Sequence, residues 1–434
     1  MTSGGGAGAS GVPLATLIVL MLAVFTVSIG YGVVLPLLPG LVEQLLQVSS
    51  TSRAISSNTG LLTSIYVLGL FLFAPLWGRL SDRFGRRNIL ILGLLGFAAS
   101  MLIFSFVRSL PAVYGERFVS GIFAAAVTPV ASAAIGDLAA NDESRGRRLT
   151  MISVAGITGF LVGPMMGLLL ARVGVDVLGP SDPSVPLAIP LAATALLALP
   201  VAGAIALTVP GASHIAAGRL KTTAVEGSAR LVSRLLVLAF VVSGAVGVFE
   251  VGLSLRGRQE LGLTQAQIAV MFTECSLVMI IVQTLVFSPL VKPTQTRWMI
   301  TPALAVLAVA LFLVPRTSNF AMMLGVIGAV AASAGILLPI VTYWISTNAG
   351  NGQGAELGKQ TAAASLGSAV GSAAGGVLFA MPFAGASFLL TAVVTAGSMA
   401  IALRLPHLLV TPRRGARPPP YKRHPVRRRS ADKG

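Results

Sequence analysis

Twelve apolar runs, each close to the length an α-helix needs to cross about 30 Å of hydrocarbon, leave this chain little choice of fold. They lie at about 14–38, 61–80, 89–106, 112–136, 149–171, 187–209, 231–255, 268–291, 299–314, 320–345, 360–381 and 384–405. A mean hydropathy of +0.86, with only 10% charged residues and 48 glycines, excludes a soluble domain. The expected class is an all-α integral membrane protein of twelve transmembrane helices. Met1 to Pro13 carries no Lys or Arg, and the run that follows is too long for a signal-peptide core and lacks a small-x-small cleavage site. That run is expected to stay as the first span.

Charge orients the spans. All but seven of the 31 Lys and Arg fall in alternate loops and the C-terminal stretch, on one side of the predicted membrane. Basic loops stay cytoplasmic, so both termini are expected inside the cell inner (plasma) membrane. Residues 210–230, with His214, Arg219, Lys221, Glu226 and Arg230, form the one long internal linker and divide six runs from six. The expected organisation is an N-terminal tail (1–13), a six-helix bundle (14–209), a cytoplasmic linker (210–230), a second bundle (231–405) and a basic tail (406–434). That tail mixes Arg with Pro, which predicts disorder and attraction to anionic inner-leaflet lipid. Tyr421 is the one aromatic among its charges, so nucleic acid is not an expected partner. Cys275 is the sole cysteine, which excludes an intramolecular disulfide and a Cys-based metal cluster. No metal or cofactor is expected, and a single chain is expected to suffice.

The densest motif is the hairpin Gly78-Arg79-Leu80-Ser81-Asp82-Arg83-Phe84-Gly85-Arg86-Arg87-Asn88-Ile89-Leu90, wedged between the second and third runs. Four cations and a carboxylate this close together belong at the membrane surface, where they can snorkel, pair and cap helix ends. Topology alone does not explain Gly78, Asp82 and Gly85, which add no positive charge. The pattern Gly-x-Leu-x-Asp-Arg-x-Gly-Arg-(Arg/Lys) resembles the loop signature between the second and third spans of major facilitator superfamily transporters. The resemblance runs from about 14 to 405 and looks like the twelve-span drug:proton antiporter branch. It implies two pseudo-symmetric six-helix bundles that rock about a site between them.

Internal echoes agree with a duplication. Gly159, Gly163 and Gly167 recur at four-residue spacing in the fifth run, and Gly367, Gly371 and Gly375 repeat it in the eleventh. Phe73-Ala74-Pro75-Leu76 is echoed by Phe287-Ser288-Pro289-Leu290 at a similar offset. Four-residue spacing puts each triplet on one helix face, where a neighbouring backbone can approach closely. Ordinary helix packing explains many such stripes. Here Gly163-Pro164-Met165-Met166-Gly167, with Gly159 a turn before, resembles the fifth-span antiporter motif of the superfamily, which implies export in exchange for protons.

Ionisable groups inside a span cost at least about 2.5 kcal/mol and need a reason to be there. Arg117, with Gly121 and Ala124 to Ala126, resembles the family's fourth-span motif, in which the Arg is linked to proton transfer; the alternative is an outward-snorkelling Arg117 paired with Glu116. Glu274 in the eighth run and Glu250 in the seventh are candidate proton carriers, because a carboxyl starved of water can exist neutral as well as charged. Glu274 is the preferred coupling acid, with Met271, Phe272 and Cys275 as an apolar wall. A structural ion pair is its alternative, and a wetted position balanced by Arg256 and Arg258 is that of Glu250.

An ion pair from Asp137 to Arg83 or Arg86 would latch the cytoplasmic ends of the first bundle, a role the resemblance supports. The counterpart hairpin, Lys292 to Arg297, is degraded. Tyr31, Tyr66, Met271, Gln283, Tyr343, Trp344 and Asn348 are candidate lining groups, each of which could instead be a packing residue or interface anchor. The first run carries no acid, which shifts weight to the second half. The resulting expectation is proton-coupled efflux of drugs or other lipophilic small molecules. Its rivals are a specific metabolite exporter or proton symporter, and a non-transporting membrane scaffold. No nucleotide-binding loop, metal cluster or nucleophile constellation suggests ATP-driven pumping or catalysis.

Overall fold

The structure is a computed structural model that describes residues 13–46, 52–138, 142–178, 185–211, 226–286, 295–348, 353–381, 383 and 385–405. The centre of the linker, the residues echoing Phe73 to Leu76, the first half of the degraded hairpin and the basic tail lie outside them. So do the side chains of Asp137 and of the loop at 142–147. Among the described residues the regular structure is helical throughout. In hydrocarbon a helix is the one single-segment arrangement that pairs its own amides and carbonyls.

The first half runs α1 (Leu14–Val34), α2 (Leu38–Leu46), α3 (Ser52–Phe84), α4 (Arg86–Phe106), α5 (Leu110–Ala124), α6 (Thr128–Leu138), α7 (Asp142–Leu178) and α8 (Val185–Thr208). The second runs α9 (Glu226–Gln259), α10 (Gln265–Val286), α11 (Thr296–Leu313), α12 (Phe320–Asn348), α13 (Gln353–Phe379) and α14 (Ala386–Ala402). Eleven described stretches are long and apolar enough to cross a membrane, with α5 and α6 counting as one, and α14 is a shorter apolar helix. Several helices outrun the hydropathy boundaries. α3 begins at Ser52 rather than near 61, because polar residues at its start still satisfy their backbone within the helix.

Two predicted spans are broken, and proline accounts for both breaks. Pro36 and Pro129 each lack an amide proton, and in a continuous helix their rings would meet the carbonyls of Gly32 and Ala125. The chain instead turns at Leu35–Leu37, where the Leu37 amide donates to the Val34 carbonyl, and at Ala125–Val127. The hairpin between α3 and α4 turns on Gly85 at φ 89°, a left-handed conformation that penalises any β-carbon.

Each half buries its own apolar core. One gathers residues from α1 to α8 together with Ala369, the other residues from α9 to α14 together with Leu35. The glycine stripes do equivalent work in the two halves. A β-carbon at Gly163 in α7 would lie 2.8 Å from Gly32 Cα in α1, and one at Gly371 in α13 would lie 2.1 Å from the Gly244 carbonyl oxygen in α9. First and fifth predicted spans therefore touch backbone to backbone in each half. A third such contact joins the halves: a β-carbon at Gly60 in α3 would lie 2.6 Å from Gly376 Cα in α13. The exterior stays apolar, as Leu72, Ile103, Leu207 and Val393 illustrate, which is the surface a lipid-embedded protein presents.

Replacing Gly371 by Ala must push α13 from α9, and overpacking of this kind costs about 1–3 kcal/mol. Thermal unfolding in detergent should show Gly371→Ala clearly destabilised. Gly397→Ala, where an added β-carbon meets nothing within 4 Å, should be neutral.

Candidate functional site

A cavity of about 420 Å³ lies between the halves. Helix periodicity builds its walls. Val27, Ser28 and Tyr31 share one face of α1, Ser243, Val246 and Glu250 one face of α9, and Cys275 and Met279 one face of α10. Tyr66 and Leu70 of α3, Thr128 of α6, Phe160 of α7, Leu338 of α12 and Ser368 of α13 complete the ring. The lining is mostly apolar with scattered hydroxyls, and Glu250 is its carboxylate.

Glu250 is held from across the interface. The Tyr31 hydroxyl of α1 donates to Glu250 Oε2 at 2.8 Å, so the acid of one half is bound by the other. The Tyr31 ring is sandwiched between Tyr66, at a centroid distance of 5.3 Å, and Phe160, at 5.6 Å. Phe160 in turn meets Phe272 of α10 edge-on at 6.2 Å, closing an aromatic course across both halves. Stacking restricts the Tyr31 ring, which keeps its hydroxyl aimed at the carboxylate.

Behind Tyr66 sits a buried ion pair. Arg117 donates to Glu116 twice, from Nε at 2.8 Å and from Nη2 at 3.0 Å, and both side chains are 2% exposed. The guanidinium lies 4.3 Å from the Phe104 ring centre and 5.6 Å from that of Tyr66. The pairing with Glu116 is the sequence alternative, with one difference. Arg117 turns into the bundle instead of snorkelling out, because a bidentate carboxylate and two aromatic faces offset its dehydration there.

Other candidates are dispersed. Glu274 is absent from the cavity wall. It lies on the face of α10 turned away from Cys275, with Oε1 3.5 Å from where a β-carbon of Gly328 would stand. Met271 is buried in the core of the second half. Trp344 is buried and donates to Thr296 Oγ1 at 3.1 Å, Tyr343 stacks edge-on against it, and Asn348 donates to the Trp344 carbonyl. Gln283 also lies outside the wall. These side chains sit on core or outer faces of their helices, a distinction that depends on azimuth and that apolar sequence does not mark. Arg256, the expected balance for Glu250, is instead taken by Glu260 and the carbonyls of Pro315 and Thr317.

In the hairpin, Asp82 pairs with Arg86 at 2.5 Å, and Arg86 also donates to the Ser81 hydroxyl. Arg83 lies over the Phe84 ring. An added β-carbon at Gly78 meets nothing within 4 Å, so packing does not explain that glycine. At the opposite end the halves are tied by polar contacts. Arg258 of α9 pairs with Glu43 of α2 at 2.6 Å, Ser56 of α3 donates to Gln259 Oε1 at 3.1 Å, and Arg53 donates to the Ala380 carbonyl at 3.1 Å. Sequence reasoning missed this set, since nothing local pairs residues more than 200 positions apart.

A family model described as the Major Facilitator Superfamily matches residues 20–352. The chain belongs to the major facilitator superfamily. It is a transporter and not an enzyme, and the multi-span helical membrane architecture follows with that membership. The chain is similar to Multidrug resistance protein 2 of Bacillus subtilis (strain 168), 28% identical over 86% of this chain and 92% of that protein. It is also similar to the class C tetracycline resistance protein of Escherichia coli, 37% identical over a shorter region, 37% of this chain and 39% of that one. Its fold is similar to that of the human organic anion transporter MFSD10 (TETRAN), with a TM-score of 0.67 at 21% identity, covering 89% of this chain and 99% of that structure. The expected drug-antiporter resemblance stands with these relatives.

Removing one partner of a buried ion pair strands the other charge, at about 3–5 kcal/mol, whereas an exposed pair contributes about 0–1 kcal/mol. Chemical denaturation should therefore find Arg117→Ala far more destabilising than Arg258→Ala. Adding Glu116→Gln to Arg117→Met should recover much of the loss.

Proposed function

We propose that this superfamily member is a proton-coupled secondary active exporter of lipophilic small molecules, cationic ones foremost, working by alternating access. The observation that carries the reading is an apolar cavity whose carboxylate, Glu250, is hydrogen-bonded to Tyr31 of the opposite half. A space of about 420 Å³ suits a drug-sized molecule, and mixed apolar and hydroxyl walls recognise shape loosely. Kinship to a protein named for multidrug resistance points the same way.

In this reading twelve spans form two six-helix bundles, 14–209 and 231–405, with α14 as the twelfth span. Its 17 residues reach about 25 Å, enough for a thin or locally compressed bilayer. The end bearing the Arg-rich hairpin faces the cytoplasm, as do both termini. The Glu43–Arg258, Ser56–Gln259 and Arg53–Ala380 contacts then form a closed outer gate, and the cavity is the inward-facing one. The hairpin and Asp137 act at the inner ends of the first bundle, and the α1–α7 glycine seam carries its antiporter motif.

Glu250 is the coupling acid in preference to Glu274, since it touches both the substrate space and the other half. Its charged form attracts a cationic substrate from the inside. A proton arriving from outside neutralises the carboxylate and releases the cargo. The Tyr31 hydrogen bond is stronger to the charged acid than to the neutral one, so protonation also loosens the tie between the halves. Each proton entering down 100 mV supplies about 2.3 kcal/mol. The Arg117–Glu116 pair fixes Tyr66, and through it Tyr31.

Purified protein in liposomes should move tetraphenylphosphonium uphill when only a pH gradient is imposed; no uphill movement of any lipophilic probe overturns the reading. Glu250→Gln should abolish gradient-driven movement and leave downhill exchange. Tyr31→Phe, which keeps the ring stack and loses the hydroxyl, should slow coupled export about 10- to 100-fold.

A further inference from the structure

Glu274 is the carboxylate that the central cavity leaves out. It stands nine residues into α10, roughly 13 Å along the helix, too deep for its short side chain to reach water past the helix end. Cys275 and Met279 carry the cavity face of α10. Val270, Leu277 and Ile281, at positions −4, +3 and +7 from Glu274, share its own face, and all three are exposed. An exposed apolar face of a membrane helix is the face lipid covers. Glu274, half-buried, therefore sits on the lipid-facing side of the contact between α10 and α12, where Gly328 leaves a groove.

Gly328 of α12 offers no side chain beside Oε1, and Glu274 Oε2 is buried without a hydrogen-bond partner among the described residues. Met322 is exposed on α12, the same helix as Gly328. A carboxylate placed in hydrocarbon without a cation is among the costliest arrangements a membrane protein can hold. In its charged form the carboxyl calls for a cation, and the described protein atoms supply none. The bilayer can. Lipophilic cations concentrate there, and a quaternary centre, which has no N–H to direct, needs charge and an apolar surround rather than a set hydrogen-bond geometry.

We propose that Glu274 and the α10–α12 groove form a second, membrane-facing binding site for the quaternary ammonium or phosphonium centre of lipophilic cations, separate from the central cavity. Its place as a port of access for cargo rests on the export reading above. Binding at the groove does not.

The test uses the full chain in lipid nanodiscs with a long-chain quaternary ammonium bearing a diazirine on its alkyl tail, photoactivated and mapped by peptide mass spectrometry. Labelling should fall on the Val270, Leu277 and Ile281 face of α10 and around Met322 of α12, away from Cys275, Met279 and Leu338, compete with tetraphenylphosphonium, survive in Glu250→Gln and drop about tenfold or more in Glu274→Gln. Gly328→Val, which fills the groove and keeps the acid, should lose the label as well and decides the matter if Glu274→Gln does not fold. Equal labelling in wild type and either groove variant, or labelling confined to the cavity wall, overturns the proposal. Because no gradient is applied, failure of the export reading would appear only in the liposome experiment and leave this result interpretable.

Discussion

Hydrocarbon offers a backbone amide or carbonyl no partner, and that one absence organises the whole molecule. Every described segment of regular structure is helical because helices pair their own backbone. Where proline removes a donor, at Pro36 and Pro129, the chain breaks into a short turn that restores the pairing. With water gone, little hydrophobic force drives one helix against another, so contact depends on how closely the backbones fit. The glycine stripes answer that need. Gly163 against Gly32 and Gly371 against Gly244 bring whole helices together at distances no side chain would permit.

The same scarcity of partners concentrates polar groups. Arg117 and Glu116 satisfy one another inside the first half and lean on two aromatic rings. Arg256 finds Glu260 and two carbonyls inside the second. These contacts are internal to a half and stiffen it. Beside the Gly60–Gly376 backbone contact, the polar contacts between halves are of another kind: a partly exposed Glu43–Arg258 pair and single hydrogen bonds from Tyr31, Ser56 and Arg53. Each contributes about 1 kcal/mol or little more.

The two acids of the second half show how azimuth sorts function. Glu250 and Glu274 lie at comparable depth in neighbouring predicted spans and look alike in sequence. One shares a helix face with Ser243 and Val246 and meets Tyr31. The other, half-buried, shares a face with the exposed Val270 and Leu277. A helix that is apolar all round carries no periodic mark to tell these faces apart, so sequence alone gives no local signal that separates the two acids. The candidate lining residues divide for the same reason. Tyr31 and Tyr66 face the cavity, while Trp344 and Met271 face the core.

What the sequence determined by itself follows from local physics. Apolar runs dictate spanning helices, Gly85 and the surrounding charges dictate a surface hairpin, and evenly spaced glycines dictate seams. The family was legible from the hairpin for that reason. Tertiary structure alone decided which glycine meets which backbone, that Glu43 reaches Arg258, and that Tyr31 holds Glu250. Those are pairings over long chain separations between faces of equal hydropathy, and only the packed arrangement of helices sets which faces look at each other.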